Sequence, residues 1–352
     1  MKQTPLLYEY DYNFMYNTVP IGSLPDAISC KFTEERNGEF YLEMTYPAFG
    51  MNADLIKVGR IIQAKHAFRI ATIEKTLDGM MSITAYHYSY DLGNIIVMPF
   101  TSNSLAGVMN HLQTSGIPSA NFRFKYTESK AGTFTLNEPK PIRSVLMGSE
   151  GSITDVYGGE FLFAGPIVQW SPNRGIDRNV HIAYGKNLTE FKETDEDAKY
   201  DAVIPYAIFN ETTYYLTDTG VCATAPVVES GTTYGYPRTI AVDFSDQFTN
   251  AAPTQSQLYA AAQSYIDGHS TKPTSNMATG YLDLRKLLGS VEDVNLCDTI
   301  HLTVAPYNIY DIRLKVIRYV FDVLLDEFES VTVGDKMITL ADTLAELMGA
   351  QK

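Results

Sequence analysis

Six histidines, His66, His87, His111, His181, His269 and His301, are the side chains best suited to carry protons or bind a metal near neutral pH. Their spacing builds no local site. None falls into HExxH or HxxxH, where two imidazoles one helical turn apart converge on a metal. His181 stands opposite the apolar residues of an alternating run, the place of a solvent-facing or interface histidine, and His66 and His301 also lie in strand-like runs. A metal held by residues distant in sequence stays open, though no spacing favours one.

Nucleophiles and phosphate cradles fare no better. Gly148-Ser149-Glu150-Gly151-Ser152 is not GxSxG, and it lies between helical pieces where a nucleophile elbow follows a strand. Cys30, Cys222 and Cys297 are far apart with no CxxC pair, which suits isolated thiols in a protein folded in a reducing cytoplasm. The flanks of Cys222 are those of an ordinary strand. Asp195-Glu196-Asp197 lacks the alternating oxygen ligands and the glycine of an EF-hand loop and reads as a solvated acidic cluster. Gly158-Gly159 is followed by a strand and no P-loop lysine. The expectation is therefore no catalytic residue, no cofactor and no metal site.

Composition sets wider bounds. At 352 residues the chain exceeds one ordinary core, so two to four domains are expected. Hydrophobic residues at 45% and charged residues at 19% exclude wholesale disorder. The 24 Tyr and 17 Phe against a single Trp suit pleated, half-buried strands. A formal net charge of −14 argues against gripping nucleic acid, because such affinity comes from neutralising phosphates. It fits a soluble acidic protein, or a surface past which DNA slides. The N-terminus has no apolar signal core and no run approaches membrane-spanning length. Any export is expected through assembly into a particle released at lysis.

Strands and turns dominate up to Leu92. Phe40, Leu42 and Met44 alternate with polar neighbours after Asn37-Gly38, a strong hairpin signal, with Ile28, Cys30 and Phe32 in the preceding strand. Further strands are expected at 60–64 and 66–70, and Asp78-Gly79 turns into Met81, Ile83 and Ala85. Ser102–Ser104 is placed to cap a helix bearing Leu105, Val108, Met109 and Leu112. Pro141 begins a second helix, and a short third surrounds Ile153 and Val156. Val180, Ile182 and Tyr184 mark a strand with one buried face, closed by Gly185 and Asn187. Lys192–Lys199 reads as a solvated loop or hairpin tip. Strands follow at 201–209, 212–216, 238–244, 277–284, 299–305 and 313–324, with a helix over 255–267. Leu340, Leu344 and Leu347 align on an amphipathic helix over 338–348, suited to a partner helix or to sequence beyond Lys352.

Gly175, Asp177, Arg178, Val180, Ile182, Tyr184, Gly185 and Asn187 resemble the core of the prophage endopeptidase tail, or phage minor structural protein N-terminal, family of tail-associated hub proteins. Weaker echoes are Gly38–Pro47, Tyr88–Leu92 and Leu296–Leu302, in order along nearly the whole chain.

The resemblance implies a β-rich α+β, multidomain architecture with two tail-tube-like β-barrel domains and a small inserted α/β domain. The expected division is 1–98 plus 171–200 for a discontinuous first barrel, 99–170 for the insertion, 201–337 for the second barrel and 338–352 for the C-terminal helix. It further implies a homotrimer whose paired barrels form a pseudo-sixfold ring at the tail tip. That ring would meet the distal tail protein and the tail tube and tape-measure proteins, with DNA passing through unbound. Assembly would take place in the bacterial cytoplasm. The family's endopeptidase activity, where present, lies in additional C-terminal sequence, so the enzyme label is not inherited. Two alternatives remain, a tail-associated cell-wall endopeptidase and a receptor- or carbohydrate-binding module.

Overall fold

Alternation and turn chemistry organise the N-terminal half. In the computed structural model, which describes residues 4–9, 19–119, 121–149, 151–196, 202–217, 228–229, 238–248, 251–268, 274–281 and 294–334, seven strands come first. They are β1 (Leu6–Tyr8), β2 (Gly22–Ser23), β3 (Ser29–Glu35), β4 (Phe40–Pro47), β5 (Ile61–Ala64), β6 (His66–Lys75) and β7 (Met80–His87). Cys30 and Phe32 of β3, Phe40, Leu42 and Met44 of β4, and Met81, Ile83 and Ala85 of β7 are buried. Each such side chain contributes about 1–3 kcal/mol through its burial. Ile28 lies just outside β3 and is exposed. Asn37 takes φ 53° between β3 and β4, the left-handed backbone that Asn and Gly accept most readily.

The insertion follows, comprising β8 (Ile96–Val97), β9 (Phe100–Ser104), α1 (Leu105–Ser115), β10 (Arg123–Tyr126), β11 (Ala131–Leu136), β12 (Lys140–Pro141), α2 (Ile142–Leu146), α3 (Ile153–Tyr157), β13 (Glu160–Ala164) and β14 (Ile167–Ser171). Ser104 caps α1 by accepting from Gly107 N at 3.2 Å. Val108, Met109 and Leu112 of α1 join Trp170, Phe161 and Phe134 in one core, together with Ile61, Ala67, Tyr88, Leu92, Ile95 and Val97. The border expected at 98/99 therefore differs from the structure, because this core already takes in Tyr88 and the backs of β5 and β6.

β15 (Asp177–Ala183) and β16 (Leu188–Glu196) come next. Lys192–Glu196 is thus strand where a solvated loop or hairpin tip was expected, and 197–199 lie outside the described residues. A second compact unit is built from the described residues of Glu193–Asn276. In it, β17 (Ala202–Phe209) pairs antiparallel with β18 (Thr212–Tyr215) and β19 (Val228–Glu229), and parallel with β20 (Thr239–Asp243). Asn210 and Glu211, φ 47° and 63°, make the two-residue turn between β17 and β18. Helix α4 (Gln255–Gly268) buries Leu258, Ala262 and Ile266 against Val203 and Ala207.

The remaining strands are β21 (Thr274–Tyr281), β22 (Thr299–Val304), β23 (Ile309–Asp322) and β24 (Glu327–Gly334). Met277–Gly334 belongs with Met1–Lys192 in the first unit. The main sheet runs β24-β23-β3-β4-β7-β6-β5-β1-β2, with β22 on β23 and β15 parallel to β22. This corrects the expected second barrel over 201–337. Phe321 and Tyr319 of β23 pack on Phe32 of β3, at ring separations of 5.3 and 5.9 Å, so the C-terminal strands complete the N-terminal core. The β-rich α+β class is as expected. The aligned leucines of 338–348 lie outside the described residues.

Candidate functional site

The alternating segment around β15 is a seam where the chain leaves the insertion and joins the main sheet. Val180 and Ile182 are buried as the alternation requires, whereas Tyr184 falls beyond the strand and is exposed. Gly185 has φ 79°. Asn187 acts through its side chain: its Oδ1 accepts from Ala183 N at 2.9 Å and its Nδ2 donates to His181 O at 3.2 Å, closing the turn. Gly175 lies against the backbone of Cys297, where any Cβ would collide with the carbonyl.

Asp298 organises the other side of that contact. Its buried carboxylate accepts from Ile176 N and Asn295 N, each at 2.9 Å, and from Arg178 Nε at 3.2 Å. Arg178 thus holds β15 to the start of β22. A second polar group lies between β3, β13 and β23. Glu160 takes Lys315 Nζ at 2.6 Å and Arg174 N at 2.7 Å, with Arg36 at 3.6 Å. Burial alone would raise the Glu160 carboxyl, but the bonds from Lys315 and Arg174 N and the Lys315 and Arg36 charges hold it below its ordinary value. Glu34 pairs with Arg174 at 3.5 Å and accepts from the Tyr319 hydroxyl, which burial and the Glu34 charge keep protonated well above the usual tyrosine range. The hairpin residue Asn37 joins in, donating to Gly159 O at 2.8 Å and accepting from Phe161 N at 2.9 Å. These groups satisfy one another and lock insertion, sheet and seam together.

A third group was invisible in the sequence. Register places His181 of β15 directly opposite His301 of β22, and Asp311 of β23 approaches both. The Asp311 carboxylate lies 2.8 Å from His301 Nδ1 and 3.6 Å from His181 Nδ1. Asp177 stands 3.3 Å from His301 Nε2. His301 is buried, while His181 and Asp311 are exposed. These groups are able to share a proton or a cation. Only strand pairing brings together residues some 120 positions apart.

The other candidate residues have structural partners. His87 is buried, stacks on Phe40 at 4.0 Å and accepts from Ser89 N; burial, with His66 and Arg143 nearby, keeps it neutral well below the ordinary histidine range. His66 packs edge-on against Phe32 and Phe40, and burial lowers its pKa. His111 of α1 stacks on Phe100. Cys30 and Cys297 are buried, which pushes both thiols up to about 12, with the Asp322 and Glu160 charges adding to the effect. Ser149 donates to Ser144 O at 2.8 Å in the loop between α2 and α3. Gly158 and Gly159 serve the sole tryptophan: Trp170 Nε1 donates to Gly158 O at 2.9 Å, and a Cβ on Gly159 would fall 2.5 Å from the indole. His269, Cys222, Glu150 and Asp197 lie outside the described residues, as do the side chains of Asp195 and Glu196.

No protein-family model matches the chain, and no curated protein matches it. Solved structures do share its fold. Prophage tail protein gp18 from Listeria monocytogenes EGD-e superposes with a TM-score of 0.55 at 11% identity, over 99% of each chain. A tail protein from Neisseria meningitidis MC58 gives 0.59 at 9% identity, over 97% of this chain and 99% of that one. The 43 kDa tail protein of prophage MuSo2 from Shewanella oneidensis gives 0.58 at 10% identity, over 94% and 98%. At these identities the likeness is one of fold: the chain has the fold of prophage tail proteins.

Proposed function

We propose that the chain is a structural hub of the tail tip of a long-tailed phage or prophage, assembling as a homotrimeric ring. The observation that carries this reading is the extent of the fold likeness, 94–99% of the chain against three prophage tail proteins. In this reading the ring meets the distal tail protein on one side and the tube and tape-measure proteins on the other. DNA passes its lumen without being gripped, and the net charge of −14 suits a wall that repels phosphate. Ring closure calls for head-to-tail contacts between identical subunits. No catalytic step is assigned, and the seam's role is to hold insertion and sheet rigid while neighbours dock.

Native mass spectrometry with negative-stain electron microscopy tests the assembly, on the purified chain alone and with the distal tail protein added. Trimers forming open rings are expected. A strict monomer at every concentration, with and without that partner, overturns the hub reading.

A further inference from the structure

We propose that His181, His301 and Asp311 form a binding site for one divalent transition-metal ion of the zinc class, with Asp177 orienting His301 from behind. The inference rests on the partners that each ring nitrogen faces. His181 Nε2 faces Asn179 Oδ1 at 3.2 Å, and His301 Nε2 faces the Asp177 carboxylate at 3.3 Å. Both are acceptors, so a proton on Nε2 of each ring has a partner there, and that tautomer turns the Nδ1 lone pair towards Asp311. Two lone pairs and a carboxylate then converge, with donor atoms all within 4.8 Å of one another. In that tautomer the converging acceptors suit a cation at their centre.

The geometry suits a metal. Zinc bonds of about 2.0–2.2 Å set tetrahedral ligand separations of about 3.3–3.6 Å. His181 Nδ1 is 3.6 Å from the Asp311 carboxylate and His301 Nδ1 is 2.8 Å from it, so both histidine–carboxylate separations lie within about half an ångström of that edge. A carboxylate behind a ligating histidine is the usual second layer of such sites, fixing the tautomer and raising the basicity of the ring. Two nitrogens and one oxygen favour zinc, cobalt or nickel over calcium or magnesium. Arg313, opposite His301 in register, is offset by the Asp177 carboxylate. His181 and Asp311 face solvent, which leaves entry open and lets water complete the shell. Such an ion would tie β15, β22 and the start of β23 together. The rival cation is a proton, which makes one ring an imidazolium between carboxylates.

The test uses the full chain, free of any affinity tag and stripped with a chelator, titrated with zinc chloride against a chromophoric competitor at pH 7.5. One zinc per chain is expected. His181→Ala and Asp311→Asn should each weaken binding at least tenfold, Asp177→Ala about 10–100-fold, and His111→Ala not at all. Replacing the buried His301 risks the fold, so the exposed positions decide the matter, with circular dichroism confirming that those variants fold. Cobalt substitution should give visible ligand-field bands without a thiolate charge-transfer band. The inference is overturned if the parent chain binds zinc no more tightly than the His181→Ala variant, or if cobalt reports thiolate ligation. The readout needs only the isolated chain, so its failure would leave the tail assembly untouched, and the converse holds.

Discussion

Gly175 and Cys297 meet backbone to backbone: a Cβ built on Gly175 would lie 1.7 Å from the Cys297 carbonyl oxygen and 2.1 Å from its carbon. The glycine is required for close approach, since its φ lies outside the left-handed region, while Cys297 itself takes φ 73°. The contact fixes where β15 enters beside β22, and with it the register that sets His181 against His301.

Gly175→Ala should therefore cost about 3 kcal/mol, the upper end for overpacking, because the clash is with main chain and no side chain can swing away. Urea unfolding followed by tyrosine and tryptophan fluorescence measures it. A loss below about 1 kcal/mol would mean that the backbone relaxes easily and that the seam is not tight.

Asp298 and Arg178 should behave unequally although they form one ion pair. Asp298→Ala strands two backbone amides and an arginine, for about 2–4 kcal/mol. Arg178 is partly exposed, and Arg178→Ala leaves Asp298 with both amide donors, for about 1 kcal/mol or less. Equal losses in unfolding midpoints would refute this division.

Glu160 should contribute to acid unfolding. Its folded pKa is held below the ordinary 4.5, so its contribution is fully present above that pH and is lost as pH falls through the lower folded value. Glu160→Gln is expected to be less stable at pH 7 and to lose less on acidification from pH 5 to 3. Denaturant midpoints across that range decide it, and parallel curves for the two proteins would count against the prediction.

Cys30 and Cys297 should resist alkylation in the native protein. Burial raises both thiols to about 12 and shields them, and the thiolate is the reactive form. Iodoacetamide at pH 8, followed by peptide mass analysis, should label both at least tenfold more slowly before denaturation than after it. Rates matching the denatured chain would mean that β3 or the 294–298 turn opens freely.

Much of the fold was legible because it follows local rules. The Asn37-Gly38 turn, the buried alternation of β4 and β7, the Ser104 cap of α1 and the apolar face of α4 depend on periods of two and 3.6 and on backbone preference. Lys192–Glu196 misled because a charged run carries no apolar period even when it forms strand. Tyr184 continued the alternation on paper, but the strand had already ended at Ala183.

By itself the sequence determined the β-rich α+β class, the placing of most elements and the seam as a distinctive segment, since each is written in neighbouring residues. Only the tertiary structure decided that β22–β24 close the N-terminal core, that Gly175 is there for Cys297, and that His181, His301 and Asp311 meet. These are contacts between positions more than a hundred residues apart, apart from the short β22–β23 turn. Pairing register creates them, and register depends on which buried faces find each other when the whole sheet assembles.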